Sequence, residues 1–377
     1  MTTTINNEHK KLNVPNLRFP GFHGEWEKCK FKDVCSTSTG NKNTQDKADD
    51  GIYPFYVRSQ TVERINSWTF DGEAILTAGD GVGVGKVFHH TYGKIGVHQR
   101  VYILSDFKCD ANYLFHFFSS KFYNRVKRMS AKNSVDSVRK EMITDMPLSL
   151  PCHQEQVKIG YMLSLLDERI ATQNKIIEDL KKLKCAIIEK LYTEIQGKEY
   201  SYGQLFDVVN ERNKQMEYSN ILSASQEKGM VNRDDLNLDI QFERSNINTY
   251  KIVRAGDYVI HLRSFQGGFA FSDKLGVCSP AYTILRPNSL LEYGYLSYYF
   301  TSQRFIKSLI IVTYGIRDGR SINVEEWLNM KVVIPSKEHQ LHALNVLKSI
   351  DDKIVNEETY ATCLSNQKQY LLRQMFI

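Results

Sequence analysis

The sequence lacks the motifs of the common nucleotide-dependent enzymes. The glycine-rich run Gly79–Lys86 resembles a phosphate-binding loop, but Asp80 stands where the first glycine belongs, and Val87 replaces the Ser or Thr that binds magnesium. No GxGxxG frame fits this run either. We therefore interpret it as a connection between strands that uses glycine for positive φ, with close approach of its backbone to a DNA phosphate as a secondary interpretation.

Residues for methyl transfer, metal binding and disulfide bonding are also missing. None of the eight prolines neighbours another, so the Asn/Asp-Pro-Pro-aromatic loop that holds the target amine in amino-methyltransferases does not occur. There is no HExxH motif, and His339 with His342 lacks a third ligand, so we predict a solvated helix face there and no metal site. The seven cysteines show no CxxC spacing, which favours free buried thiols in a reducing cytoplasm. We predict no catalytic residues in this chain.

Long apolar runs are absent as well. No stretch approaches the roughly 20 apolar residues that a membrane span requires, and no charged-then-apolar signal segment opens the chain. We therefore expect a cytoplasmic protein with no membrane partner. Its content of 42% hydrophobic and 24% charged residues is that of an ordinary soluble globular protein.

The charge has a weak positive bias that is unevenly distributed. A formal net charge of +6 favours an anionic partner only modestly. Basic residues concentrate at the end of the first domain-sized segment, and a smaller group occupies the corresponding part of the second. They are Lys121, Arg125, Lys127, Arg128, Lys132, Arg139 and Lys140, followed by Arg304, Lys307, Arg317 and Arg320. This distribution indicates nucleic acid more strongly than the total charge does.

What the sequence does contain is an internal repeat. Residues 146–192 align without a gap on residues 330–376, at a constant offset of 184 positions. The identical pairs are Met146/Met330, Pro151/Pro335, Gln156/Gln340, Leu163/Leu347, Asp167/Asp351, Ile170/Ile354, Leu180/Leu364 and Lys184/Lys368. Further upstream the matches are shorter, such as Tyr113-Leu114 with Tyr295-Leu296. A duplicated unit of one domain and one helix predicts pseudo-twofold symmetry and a two-part target.

The repeat divides the chain into alternating domains and helices. We predict a flexible arm over 1–15, a first domain over 16–150, a helix over 151–196, a second domain over 197–334 and a second helix over 335–377. In each domain, short β-rich runs with glycine turns precede one helical run, over Ala111–Arg128 in the first and Tyr293–Leu309 in the second. The predicted fold class is α+β.

Both long helices carry an apolar seam with three- and four-residue spacing. The first seam runs from Leu163 to Leu191 and the second from Leu347 to Met375. Such seams predict two long antiparallel coiled-coil helices that pack on each other, and a pair of core helices in a bundle is the alternative.

Four polar residues interrupt the two seams, and they predict a register. They are Gln173 and Lys184 in the first helix and Glu357 and Lys368 in the second. We predict that Lys184 pairs with Glu357 and Gln173 with Lys368, because a partly buried charge that faces an apolar side chain would be costly. Polar seam residues are a known means of fixing register.

Loop segments of both domains carry side chains that can read bases. Arginine donates in a fork to guanine, and asparagine or glutamine pairs with adenine. The candidates for DNA contact in the first domain are Arg58, Ser59, Gln60, Lys86, Arg100, Lys132, Asn133 and Arg139. Those in the second domain are Arg263, Ser264, Gln266, Arg317 and Arg320. Because such clusters recur in both copies, DNA contact is favoured over surface salt bridges or solvated loops.

With these features the chain resembles the specificity subunit of a Type I restriction-modification enzyme. The residues that carry the resemblance are Leu17–Phe22, Ala255–Asp257, Ser279–Tyr282, Tyr314–Gly319 and the Ile334-Pro335 entry to the last helix. It implies two α/β target recognition domains related by pseudo-twofold symmetry, each reading half of a bipartite double-stranded DNA site, separated by the two helices as an antiparallel ruler. It also implies two methyltransferase (modification) subunits with S-adenosylmethionine, restriction/translocase subunits with ATP and Mg²⁺, and no cofactor in this chain.

Other functions are compatible with parts of the same pattern. A stand-alone DNA-binding regulator or structural protein with an intramolecular coiled coil is the main alternative, whereas the missing motifs disfavour a self-contained methyltransferase or nuclease. The first domain also departs from the family's usual pattern. It has Gly81–Gly85 and His98–Arg100 where the second domain has Arg263–Gly268 and Cys278–Pro280, so the resemblance leaves open which first-domain residues touch bases.

Overall fold

Helices and strands are mixed throughout the chain. The computed structural model describes residues 12–130, 137–225, 228–235, 244–261, 268–314 and 321–377. These form two compact units: unit 1 comprises Met1–Asn174 with Thr359–Ile377, and unit 2 comprises Lys175–Glu358. The α+β class predicted from the sequence is confirmed.

Unit 1 is built on a six-stranded sheet. Its elements are β1 (Glu27–Lys30), α1 (Phe31–Val34), β2 (Ser36–Thr39), β3 (Tyr53–Tyr56), β4 (Glu63–Ile65), β5 (Phe70–Ala78), β6 (Phe88–Val97), β7 (Val101–Ser105), α2 (Ala111–Met129), α3 (Lys140–Thr144), β8 (Pro147–Leu150) and α4 (His153–Thr193), of which the later part belongs to unit 2. The strand order is β2-β7-β5-β6-β3-β4, with β3 and β6 parallel and the other pairs antiparallel. A separate ribbon pairs β1 with β8.

The central strand of this sheet has core on both faces. Ile75 of β5 packs in one cluster with Phe118 and Phe122 of α2, whereas its neighbours Ala74 and Leu76 belong to a second cluster. Side chains alternate between the faces of a strand, so helix α2 covers one face and the second cluster lies on the other. The predicted helical run Ala111–Arg128 is confirmed as α2.

Unit 2 has a smaller central sheet and several two-stranded ribbons. Its elements are β9 (Lys198–Ser201), α5 (Tyr202–Leu205), β10 (Phe206–Val209), β11 (Leu222–Ser225), β12 (Gly229–Asn232), β13 (Lys251–Val253), β14 (Tyr258–Ile260), β15 (Phe269–Phe271), β16 (Gly276–Cys278), β17 (Thr283–Pro287), α6 (Tyr295–Tyr299), α7 (Gln303–Ser308), β18 (Thr313–Tyr314), β19 (Ser321–Ile322), α8 (Val324–Asn329), β20 (Lys331–Ile334) and α9 (Lys337–Met375), of which the later part belongs to unit 1. The sheet order is β10-β17-β14-β15, and the ribbons are β11–β12, β13–β16, β18–β19 and β9–β20.

The core of unit 2 is rich in aromatic rings. Tyr202 stacks on Trp327 with ring centroids 4.2 Å apart and an interplanar angle of 10°. Phe300 and Phe305 pack beside them, and their centroids are 4.6 Å apart. Offset and edge contacts of this kind stabilise a core beyond the area that the rings bury.

The second helical run is interrupted, which differs from the prediction. The structure replaces a single helix over Tyr293–Leu309 by α6 and α7. Ser302 precedes α7 and its Oγ accepts a hydrogen bond from the Phe305 N–H at 3.1 Å. Serine is a strong N-cap residue, and this bond caps α7, whereas Ser120 at the same place in the first copy lies inside the continuous α2.

A buried glutamine ties the first turn of each long helix to its own domain. In unit 1, Gln156 Oε1 accepts from the Asp110 N–H at 2.9 Å, and its Nε2 donates to the Pro151 carbonyl at 2.8 Å. In unit 2, Gln340 Oε1 accepts from the Glu292 N–H at 2.8 Å, and its Nε2 donates to the carbonyl of the proline before α9 at 3.1 Å. The two copies therefore share this clamp as well as their sequence.

The two long helices are confirmed, with bounds close to the predicted ones. The first was predicted over 151–196 and is α4, and the second was predicted over 335–377 and is α9. Within unit 2, Lys184 pairs with Asp351 while Lys181 pairs with Glu358. The position on one helix falls as the other rises, so these two segments run antiparallel.

The seam lysine of unit 2 has a different partner from the predicted one. Lys184 Nζ donates to Asp351 Oδ1 at 2.5 Å. Glu357, the predicted partner, forms an ion pair with Lys353 on its own helix. The reason is that a long lysine stem can follow the apolar seam and place its ammonium at the edge, where an aspartate of the facing helix lies.

Unit 1 repeats this correction. Lys368 forms an ion pair with Asp167 rather than with Gln173, and Lys368 and Asp167 are the equivalents of Lys184 and Asp351 in the repeat. Both seam lysines therefore have ion-pair partners other than the predicted ones, and the helix register itself stays a prediction.

The start of the described chain is ordered rather than free. Asn13 lies in the segment that we predicted to be a flexible arm, but it is buried. Its Nδ2 donates to the Trp26 carbonyl at 2.6 Å, and its Oδ1 accepts from Ser149 Oγ at 3.3 Å. The predicted division of the whole chain into five parts otherwise stays a prediction.

Candidate nucleic-acid interface

Three connections of the unit 1 sheet meet at one aspartate. Arg58 follows β3, Asp80 follows β5, and Arg100 lies in the turn between β6 and β7. Arg58 Nη1 donates to Asp80 Oδ1 at 2.8 Å, and Arg100 Nε lies 3.7 Å from Asp80 Oδ2. We call these three residues the Arg–Asp cluster. It brings together two of the residues predicted to contact DNA.

The Arg–Asp cluster carries a net positive charge and faces solvent. The side chains of Arg58 and Arg100 are 46% and 63% exposed. Exposed ion pairs contribute only about 0–1 kcal/mol, so Asp80 orients the two guanidinium groups without holding them strongly. A guanidinium fork suits both a phosphate and the O6/N7 edge of guanine.

A glycine-built loop lies beside the cluster and presents one apolar side chain. Gly81 and Gly85 have φ of +73° and +65°, and a Cβ at Gly83 would lie 2.4 Å from the Arg58 carbonyl oxygen. The glycines are therefore required by the turn, as predicted. Between them Val82 is 97% exposed, and the sequence analysis did not single it out. An apolar tip of this kind can contact a thymine methyl group or a base step.

A buried histidine supports the turn that carries Arg100. His98 Nδ1 accepts from the Arg100 N–H at 3.0 Å, and its Nε2 lies 3.4 Å from Thr44 Oγ1. Burial lowers the pKa of His98 below its ordinary value, and the nearby charge of Arg58 lowers it further. A neutral ring matches its role as acceptor for the Arg100 backbone.

The other first-domain candidates surround the loop less closely. Ser59 and Gln60 are exposed, and Ser59 Oγ donates to the Thr61 carbonyl at 3.1 Å. Lys86 Nζ lies 5.6 Å from the centroid of the Tyr123 ring. Arg139 is exposed at the start of α3, in a segment tied to the glycine loop by a 2.7 Å hydrogen bond from the Val138 N–H to the Gly79 carbonyl. Lys132 and Asn133 lie outside the described residues.

The similarity to known proteins includes the segment that contains this surface. A family model described as the Type I restriction modification DNA specificity domain matches residues 23–182. The Type I restriction enzyme EcoDI specificity subunit of Escherichia coli is 26% identical over 168 residues, 44% of this chain and 37% of that protein. The MjaVIII specificity subunit of Methanocaldococcus jannaschii is 26% identical over 388 aligned positions, 89% of each chain.

The predicted resemblance to the Type I restriction-modification specificity subunits is thus confirmed. The Arg–Asp cluster lies within the segment that matches the DNA specificity domain. A solved structure has a similar fold: the S subunit of a Type-I restriction-modification system from M. genitalium matches 97% of this chain and 99% of its own length, with a TM-score of 0.62 and 14% identity.

In the second copy, the candidates lie in connections that the structure does not describe. Arg263, Ser264 and Gln266 fall between β14 and β15, and Arg317 and Arg320 fall between β18 and β19. All five lie outside the described residues, so they stay predictions. The two connections start and end on defined strands of unit 2.

Most of the cysteines are either buried or exposed to solvent. Cys35, Cys109 and Cys278 are buried free thiols, and burial raises the pKa of each to about 12. Cys152, Cys185 and Cys363 are exposed, so the expectation of buried thiols holds only in part. In the described part of the chain, no group of three His, Cys, Asp or Glu residues is arranged to hold a metal ion, and no helix is long and apolar enough to cross a membrane.

Proposed function

We propose that this chain reads DNA as the non-catalytic specificity subunit of a Type I restriction-modification complex. It binds a bipartite double-stranded site, and two modification subunits that carry S-adenosylmethionine methylate adenine there. Restriction subunits add ATP- and Mg²⁺-dependent translocation and cleavage, all in the cytoplasm. The observation that carries the proposal is the exposed Arg–Asp cluster within the segment that matches the DNA specificity domain.

The arginines of the Arg–Asp cluster can exchange their partner Asp80 for DNA, which supports a role in DNA recognition. Without DNA, Asp80 accepts a hydrogen bond from Arg58 and forms an ion pair with Arg100 at 3.7 Å, so both guanidinium groups lie beside one carboxylate. A phosphate or a guanine edge offers each fork two acceptors, which makes charge-assisted bidentate contacts stronger than the exposed ion pairs. Val82 beside them adds an apolar contact that discriminates by shape rather than by charge.

The internal duplication supports a bipartite target. Both copies contain the glutamine clamp at the start of a long helix and the same lysine–aspartate pair along it. Two recognition domains that are tied to their helices in the same way are suited to two half-sites, each recognised by the loops of one domain.

Methylome sequencing of a host with and without this gene tests the proposal. We expect a bipartite adenine-methylated motif to appear only when the gene and its modification partner are present. Affinity purification separates the regulator alternative, because the proposal predicts stable co-purification with a methyltransferase subunit. Methylation by the purified chain alone would overturn the proposal. So would an unchanged methylome in a host where the chain binds DNA firmly.

At the level of residues, Arg58→Ala and Arg100→Ala test the Arg–Asp cluster. Loss of a bidentate base contact should weaken binding by about 1–3 kcal/mol and relax one position of the motif, whereas loss of a phosphate contact should weaken all sequences alike and reduce the salt slope by about 1. Lys32→Ala is the matched control, since Lys32 is 53% exposed and paired with Asp145. If both arginine variants bind like the control, the DNA surface lies elsewhere.

A further inference from the structure

Unit 2 contains an apolar cavity that the DNA-reading role does not use. Its volume is about 430 Å³, and it lies between the last turns of α4 and the first turns of α9. Ile187, Leu191 and Ile195 line it from the first helix, and His339 and His342 line it from the second. These are the two histidines for which the sequence predicts only a solvated helix face.

The repeat identifies the counterpart of this cavity in unit 1. At the same offset of 184 positions, His339 corresponds to Glu155 and His342 to Lys158. On the other helix Lys190, a further lining residue, corresponds to Gln374. Each lining position can therefore be compared with a position whose surroundings are known.

In unit 1 that counterpart is filled by the chain segment Leu17–Phe22. The Leu17 N–H donates to the Gln374 carbonyl at 3.0 Å. Arg18 donates from Nε and Nη2 to the two carboxylate oxygens of Glu155, both at 2.8 Å. The contact leaves the Glu155 side chain 0% exposed.

Aromatic residues of the same segment complete the filling. Phe19 packs against the core of unit 1, and Lys158 Nζ lies 5.1 Å from the centroid of the Phe22 ring. One short segment, which turns at Pro20-Gly21, thus supplies two aromatic groups and one charge.

Unit 2 has no such segment among its described residues. Its chain runs from α4 directly into β9 through Gly197, where a Cβ would lie 2.3 Å from the Ile334 carbonyl oxygen. This tight connection leaves no room for an arm like Leu17–Phe22. His339, the counterpart of the buried Glu155, is accordingly exposed.

The charge of the groove also differs between the copies. Where unit 1 offers the Glu155 carboxylate to an arginine, unit 2 offers a histidine ring, and Lys190 replaces the neutral Gln374. Glu194 is the acidic residue that lines the cavity. At the place where the arm of unit 1 has Arg18, the site in unit 2 therefore favours a ligand that carries a hydrogen-bond acceptor or a carboxylate.

We propose that this cavity binds a short segment of a second polypeptide, aromatic at two positions and with a carboxylate in place of the Arg18 guanidinium. The arm of unit 1 is the template for its shape, and the exchange of Glu155 for His339 sets its charge. The proposal does not depend on DNA binding, so it can fail or hold independently of the function proposed above.

Synthetic peptides based on the arm test this proposal on the full-length protein. One peptide has the sequence of residues 14–25, and the other has glutamate at the position of Arg18; both carry a fluorophore for anisotropy titration. We expect the glutamate peptide to bind about tenfold more tightly, the size of one charge-assisted hydrogen bond. His339→Glu should reverse this preference, because it recreates the acidic residue of unit 1.

Two further variants complete the experiment. Ala343→Trp should abolish binding of both peptides by filling the cavity, which Ala343 lines. Glu338→Gln, an exposed change next to His339, should alter neither. Failure of both peptides to bind, or a preference unaffected by His339→Glu, would overturn the proposal. Self-association that Ala343→Trp abolishes would also overturn it, since the occupant would then be a second copy of this chain.

Discussion

The two copies hold the same ion pair with different third residues. In unit 2, Lys184 pairs with Asp351, and the Tyr298 hydroxyl donates to the other oxygen of that carboxylate at 2.9 Å. In unit 1, Lys368 pairs with Asp167, and His116 Nδ1 lies 3.7 Å from Asp167 Oδ2. The duplication has thus kept a charged pair along each helix while the domain residue that meets it has changed.

This difference gives the copies different responses to acid. Burial, with the nearby Lys368 charge, lowers the pKa of His116 to about 3, whereas burial and the Asp351 contact raise the pKa of Tyr298. The tyrosine is therefore neutral over the whole working range of pH. The histidine is neutral only because folding suppresses its protonation.

The largest effect is expected from shortening one buried leucine in the apolar seam of each long helix. Leu163 and Leu347 are equivalent in the repeat and both are fully buried. Leu163→Ala and Leu347→Ala should each lower the free energy of unfolding by about 2–5 kcal/mol, through lost burial and the cavity left behind. Leu183→Ala, at a position that is half exposed, is the control and should change it by less than about 0.5 kcal/mol. Urea unfolding measures all three, and a loss comparable to the control at either leucine would show that its seam is not a core.

The next test uses pH. Because the pKa of folded His116 lies below the unfolded value of about 6.5, protonation favours the unfolded chain, and stability is lost as pH falls below about 6.5 toward 3. At pH 5 the loss from this group should be about 2 kcal/mol. His116→Tyr, which copies Tyr298, should remove that part of the loss between pH 7.5 and pH 5 in urea unfolding, and Tyr298→His should add a similar loss. Equal acid sensitivity of wild type and His116→Tyr would contradict the comparison.

The smallest effect is expected from the ion pairs themselves. Double-mutant cycles with Lys184→Met and Asp351→Asn should give a coupling of about 0.2–1 kcal/mol, as for other partly exposed pairs. The equivalent cycle on Lys368 and Asp167 should give a similar value. A cycle on Lys184 and Glu357 is the control, and coupling there instead would support the pairing predicted from the sequence.

The helices and the repeat could be predicted because their signals are local. The apolar spacing predicted α4 and α9, and α2 also matched its predicted run. The two lysine–aspartate ion pairs could have been predicted as well, since Asp167/Asp351 and Lys184/Lys368 are both identical pairs in the repeat. The predicted register used only the polar residues inside the seam, although lysines reach partners at its edge.

The candidate site was harder to predict because it depends on contacts between distant residues. Arg58 and Asp80 are brought together by the pairing of β3, β5 and β6 in one sheet, and no local pattern contains that pairing. The exposure of Val82 follows from the backbone of the glycine loop rather than from hydropathy, which favours burial of valine. The interruption before α7 could not be predicted from Ser302 alone, because Ser120 stands at the same place inside the continuous α2.

A domain exchange tests the central claim most directly. Residues 16–150 are replaced by the equivalent domain of another family member, and the methylome of a host that contains the modification partner is sequenced. If the two domains recognise DNA independently, one half of the methylated motif should change. The other half should be retained and should still direct methylation. A change in both halves at once, or an unchanged motif, would contradict the account.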